Sequence, residues 1–140
     1  MDLEDVQGFL LRYNAEFEGI ARWQDEIVEA TRGSGVIRTP LGRLLRVTTD
    51  TPVNSLYNFP VQATAADGFK RALVAIDQGL RGLDARIVHI LHDEVIVEAR
   101  MDEAVAVAEI VRRSMEGAFE EMLPGMPFGV KTERRRRWGA

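Results

Sequence analysis

Apolar residues recur at three- and four-residue spacing through the first part of the chain, at Val6, Phe9, Leu10, Tyr13, Phe17, Ile20, Trp23 and Ile27. That period predicts one amphipathic helix from about Leu3 to Arg32, ended by Gly33-Ser34-Gly35, with a stripe suited to a core or an interface. Val36 to Thr39 and Arg43 to Val47 flank Pro40-Leu41-Gly42 and read as a short hairpin. A second helix is expected from near Asn54 to Leu80, interrupted or bent at Pro60. Its stripe is Val61, Ala65, Phe69, Ala72, Ile76 and Leu80, which leaves Asn58, Gln62 and Lys70 on a face open to a polar ligand. Arg86 to His92 and Val95 to Ala99 are rich in β-branched residues and predict a tight antiparallel hairpin around Asp93-Glu94. An acidic helix follows from about Asp102 to Met122, stopped by Pro124-Gly125, and Phe128 to Thr132 reads as a final edge strand. The order predicts an α+β fold, with helices packed on one face of a small antiparallel sheet.

Length then limits the reading: 140 residues suit a single domain with one core. The absence of Cys removes disulfides, thiolate metal sites and thiol nucleophiles, so chemistry must come from oxygen and nitrogen. No stretch resembles a signal peptide or a membrane span, and the expected location is cytoplasmic. A net charge of −4 would discourage nucleic-acid binding, but the charge is segregated. Residues 1–31 hold eight acids and two arginines, whereas residues 32–48 hold four arginines and no acid. A second basic cluster, Lys131 and Arg134 to Arg137, lies at the C-terminus against Glu133 alone, and residues 134–140 read as a flexible basic tail.

The chemically distinctive segment is His92-Asp93-Glu94. A hairpin tip carries adjacent carboxylates away from the sheet in fixed directions, an arrangement able to hold a hard divalent cation. The same acids also serve as ordinary polar turn formers, and spacing alone does not separate the two readings. Zinc patterns, phosphate loops, dinucleotide fingerprints and hydrolytic triads are missing from the sequence.

Asn58-Phe59-Pro60-Val61-Gln62-Ala63-Thr64-Ala65-Ala66-Asp67, followed by His92-Asp93-Glu94-Val95, resembles the C-terminal palm of family A DNA polymerases, the bacterial repair type. The likeness extends to the acidic helix, to Trp138 near the end, and upstream to the Gly35 to Arg46 hairpin with Thr39, Gly42 and Arg43. It implies a DNA-directed DNA polymerase, a nucleotidyltransferase of DNA replication and repair using two Mg2+ ions. Asp93 matches the second essential aspartate and Glu94 its acidic neighbour, which makes both the implied catalytic and metal-binding residues. Asn58, Gln62 and His92 match residues near the primer-template, and amides there can donate to minor-groove acceptors shared by all base pairs. Arg43, Arg46 and the tail arginines are the implied phosphate binders.

The departures shape the expectation equally. The strand bearing the first metal-binding aspartate, the fingers helix that holds the deoxynucleotide triphosphate, the thumb and the exonuclease are not among residues 1–140. Ala63 stands where the family has Gly, and the link from Arg43 to Asn58 is short, with Asn54 where an arginine commonly precedes the helix. The resemblance therefore implies an incomplete two-metal site and an isolated chain that is catalytically incompetent. The expected partners are primer-template DNA and either a complementing polymerase chain or further copies of this one. A noncatalytic duplex-DNA-binding or oligomerisation module that keeps the palm fold is the alternative.

Overall fold

The computed structural model describes residues 3–138. Two compact units divide the chain, Met1–Thr64 and Ala65–Ala140.

In the first unit, α1 (Leu3–Glu16) and α2 (Glu18–Ser34) replace the single expected helix. Phe17 leaves helical geometry at φ −115° and ψ 52°, and its carbonyl accepts from the N–H groups of both Ile20 and Ala21. The break falls beside Gly19, a weak helix former. Phe9, Leu10, Leu11, Phe17 and Ile20 are all exposed, so no packing within the unit enforces a continuous helix. Gly35, at φ 63°, ends α2 in the left-handed conformation and donates its N–H to the Thr31 carbonyl at 2.9 Å. β1 (Val36–Arg38) and β2 (Leu44–Arg46) then pair antiparallel, Val36 opposite Arg46 and Arg38 opposite Leu44. Gly42, at φ 85°, closes the turn by donating to the Thr39 carbonyl at 2.8 Å.

Helix α3 (Val53–Gly79) begins in this unit and runs without interruption through Pro60. The helix is not interrupted there: proline withholds a single N–H, and the turns on either side carry the helix past it.

The second unit holds the packed core: Ile76 and Leu80 at the end of α3, with Val107 and Val111 of α4 (Ala104–Met122). Against them lie Ile87 of β3 (Ala85–Leu91) and Val95, Val97 and Ala99 of β4 (Glu94–Ala99). The α+β architecture is therefore present, as two separate two-stranded sheets. The expected edge strand at Phe128 to Thr132 is not formed. Phe128 instead sets its ring 4.7 Å from that of Phe119 on α4, and Pro124, Pro127 and Gly129 oppose a regular strand.

One irregularity sets the faces of the second hairpin. Ile87 pairs with Val97 and His89 with Ile96, so β3 carries one extra residue, Val88, as a β-bulge. Paired residues of an antiparallel ladder point to the same side. Val97 packs on the core and Ile96 points the other way, which carries His89 to the outer face with it.

Candidate metal and nucleic-acid site

The β3–β4 connection is as short as a hairpin allows. Leu91 pairs with Glu94, leaving His92 and Asp93 as the two turn residues. A two-residue turn between right-twisted strands requires positive φ, usually supplied by Gly or Asn, and here His92 adopts φ 54°. His92, Asp93 and Glu94 are all exposed, so the tip presents its two carboxylates to solvent on a rigid ladder. Outside the core, the adjoining face carries an Arg86–Glu98 ion pair at 2.9 Å, with the His89–Ile96 pair next toward the tip.

Hard oxygen donors suit Mg2+, which takes octahedral oxygen ligands and keeps several waters. Asp93 and Glu94 fit part of such a shell. Among the described residues no three His, Asp or Glu side chains group closely enough to hold a metal by themselves. An ion held at these two carboxylates would take its other ligands from water, substrate or another polypeptide segment.

In the first unit, Asn58 and Gln62 are exposed and stand four residues apart on α3, on one face of that helix. The first hairpin exposes Arg43 and Arg46, and Arg43 donates its backbone N–H to Thr39 Oγ1 at 3.1 Å. Arg38 belongs with them. The register puts Arg38 opposite Leu44, and Leu44 is two residues from Arg46, so Arg38 and Arg46 project from the same side of the ribbon. Arg38 is one of the first-hairpin arginines that the resemblance implies as phosphate binders, and alternation along Val36-Ile37-Arg38 gives its side. Arg32, by contrast, is paired to Glu29 and contributes little free positive charge.

Set beside known proteins, the whole chain, residues 1–140, matches the profile of DNA polymerase family A. The chain belongs to the family A DNA polymerases. It is 32% identical over 142 residues to DNA polymerase I of Aquifex aeolicus, covering 99% of this chain and 24% of that protein. Against the thermostable DNA polymerase I of Thermus aquaticus it is 31% identical, covering 86% of this chain and 16% of the relative. Against DNA polymerase I of Pseudomonas aeruginosa it is 33% identical, covering 84% and 14%. The chain thus spans a quarter or less of the length of these relatives.

A solved structure, the POL domain of Pol1 from M. smegmatis in complex with DNA primer-template and dNTP, superposes with a TM-score of 0.77 at 27% identity. That match covers 84% of this chain and 23% of the other. Family A polymerases are nucleotidyltransferases and generally use Mg2+, in keeping with the oxygen donors at the hairpin tip. No helix among the described residues is long and apolar enough to cross a membrane.

Proposed function

We propose that residues 1–140 supply the C-terminal palm part of a DNA-directed DNA polymerase, with Asp93 as one of its metal-binding carboxylates. The observation that supports this reading best is the exposed tip itself: Asp93 in a two-residue turn between fixed strands, flanked by Glu94 and His92. When bound there with substrate, Mg2+ supplies positive charge at the primer hydroxyl and the departing pyrophosphate. Asp93 and Glu94 provide the fixed negative oxygens, and the hairpin spares the cost of ordering them at the moment of reaction. Asn58 and Gln62 donate amide hydrogens to the primer-template minor groove without reading sequence, and His92 stands beside the primer end. Arg38, Arg43 and Arg46 bind phosphates, adding affinity and salt dependence. DNA as partner fits a cytoplasmic setting and a role in replication and repair.

Two carboxylates give at most two negative charges against the four positive charges of a two-metal centre, so this chain alone would hold such a centre weakly. Deoxynucleotide triphosphates would bind only with the remaining polymerase parts present. The exposed aromatic ladder that runs from α1 to the break at Phe17, with ring centroids 6.3 Å apart for Phe9 and Tyr13 and 4.9 Å for Tyr13 and Phe17, is a surface for the complementing chain or for a second copy. The test is primer extension. The purified chain with Mg2+ and nucleotides should be inert and should gain extension when mixed with a polypeptide carrying the rest of a family A polymerase. No gain on mixing would contradict the proposal.

A further inference from the structure

The last described residue, Trp138, sets its indole 5.0 Å from the imidazole of His89 with the ring planes tilted by 43°. Phe128 sets its ring against that of Phe119 on α4, tilted by 34°, so the segment between these two contacts is held at both ends. That segment carries five basic residues and one acid. Glu133 is held below its ordinary carboxylate range by hydrogen bonds from Lys131 and Arg135, at 2.9 Å and 2.6 Å, and is thereby committed to those two cations. Arg134, Arg136 and Arg137 are exposed and form no ion pair among the described residues. His89 lies three residues before His92, about 10 Å along the strand at 3.4 Å per residue. The bulge at Val88 is what turns His89 outward to meet the indole.

From this geometry we infer that Trp138 and His89 are positioning residues, which strap the basic tail to the outer face of the β3–β4 hairpin and hold Arg134, Arg136 and Arg137 as a preset phosphate-binding rail for duplex DNA. The inference rests on the polymerase reading for its ligand and adds to it a means of holding a second arginine group in place, beside the catalytic hairpin. Free arginine side chains lose rotamer freedom and backbone freedom when they bind, and a tail already fixed at both ends loses less. The indole is 70% exposed, so its removal takes no support from the core. Tail arginines contact phosphates only and are indifferent to a primer end, so a blunt duplex is the right probe.

The experiment titrates the full chain with a blunt duplex of about 20 base pairs, long enough for several phosphate contacts, across a series of salt concentrations. Each phosphate contact adds about 0.9 to the slope of log affinity against log salt, so Arg134, Arg136 and Arg137 changed together to Ala should flatten it by about two to three. Trp138→Ala should weaken binding on the order of tenfold and flatten the slope in part, while Trp138→Phe keeps a ring on His89 and should restore both. With Trp23→Phe as background, His89→Ala should change the emission of Trp138 in the absence of DNA. Equal affinity and slope for the wild type and Trp138→Ala would overturn the inference, as would unchanged emission in His89→Ala. So would failure of the wild type to bind blunt duplex, or its preference for anionic lipid vesicles. None of these outcomes touches primer extension in the complemented system, on which the polymerase reading stands separately.

Discussion

Ile87 and His89, two residues apart on one strand, face opposite sides of the hairpin: Ile87 packs on the core across from Val97, and His89 stands on the outer face across from Ile96. Residues i and i+2 of an unbroken strand share a face, so the inserted Val88 exchanges the two sides from that point to the tip. The consequence reaches the site, because the same half-turn of register decides which face meets the core and which meets the C-terminal tail.

Deleting Val88 joins Ile87 directly to His89 in a plain ladder, so Ile87 keeps its place opposite Val97 on the core side and His89 stays opposite Ile96 on the outer face. Both faces keep their residues, so we expect stability to change by no more than about 1 kcal/mol. Urea denaturation measures it, and a loss of several kcal/mol would contradict the assignment of Val88 as the one extra residue of the ladder.

The glycines of the second unit make opposite predictions. A methyl group on Gly68 would stand 2.6 Å from Phe119 Cε1 and 2.8 Å from Met122 Cε, whereas one on Gly117 meets nothing within 4 Å. Gly117→Ala should therefore stabilise by about 0.5–1 kcal/mol through helix propensity. Gly68→Ala gains the same propensity but displaces a ring that also packs against Phe128, and should destabilise by about 1–2 kcal/mol. Thermal or urea unfolding of the two variants should move in opposite directions.

Helix α4 carries a pH-dependent element. Hydrogen bonds from Arg112 and then Arg113 lower the Glu109 carboxyl from 4.5 to about 2. Because the folded value lies below the unfolded one, the contribution is complete above about pH 4.5 and disappears as the pH falls toward 2. Solvent screens these exposed partners, so the effect is small. The stability difference between wild type and Glu109→Gln should be largest near neutrality and close up on acidification. A difference that is flat with pH would count against the ion-pair cluster.

His92 should reveal strain at the tip. A histidine at φ 54° is tolerated but unfavourable, and a β-branched residue there is worse. His92→Gly should leave stability unchanged or raise it by up to about 1 kcal/mol, while His92→Val lowers it by about 1–2 kcal/mol. If His92→Gly also reduces extension in the complemented system, the strained residue is retained for function rather than for folding.

Much of this organisation could be read from the residues. The runs Arg86 to His92 and Val95 to Ala99 contain enough β-branched residues, on either side of a polar dipeptide, to define the hairpin and its tip. The motif around Asn58 and Gln62 identified the family. Three features were not legible, each for a physical reason. The break at Phe17 depends on the absence of packing along α1, which periodicity does not report. The segment at Phe128 alternates like a strand but spends its aromatic ring on Phe119. The bulge at Val88 leaves no mark in composition, because Val, His and Ile suit either face of a ladder.

The central claim is that Asp93 holds charge for nucleotidyl transfer, and primer extension by the complemented polymerase tests it most directly when wild type, Asp93→Asn and Gln62→Ala are compared. Asp93→Asn keeps the size of the side chain and removes its charge. It should lower the extension rate by at least about a thousandfold, the scale of losing a principal electrostatic group in a transition state. Gln62→Ala should chiefly raise the primer-template concentration needed for half-maximal rate, because it alters binding more than the reacting charge. Extension by Asp93→Asn at the wild-type rate, in a mixture that depends on this chain for activity, would contradict the assignment of the hairpin tip as the catalytic carboxylate.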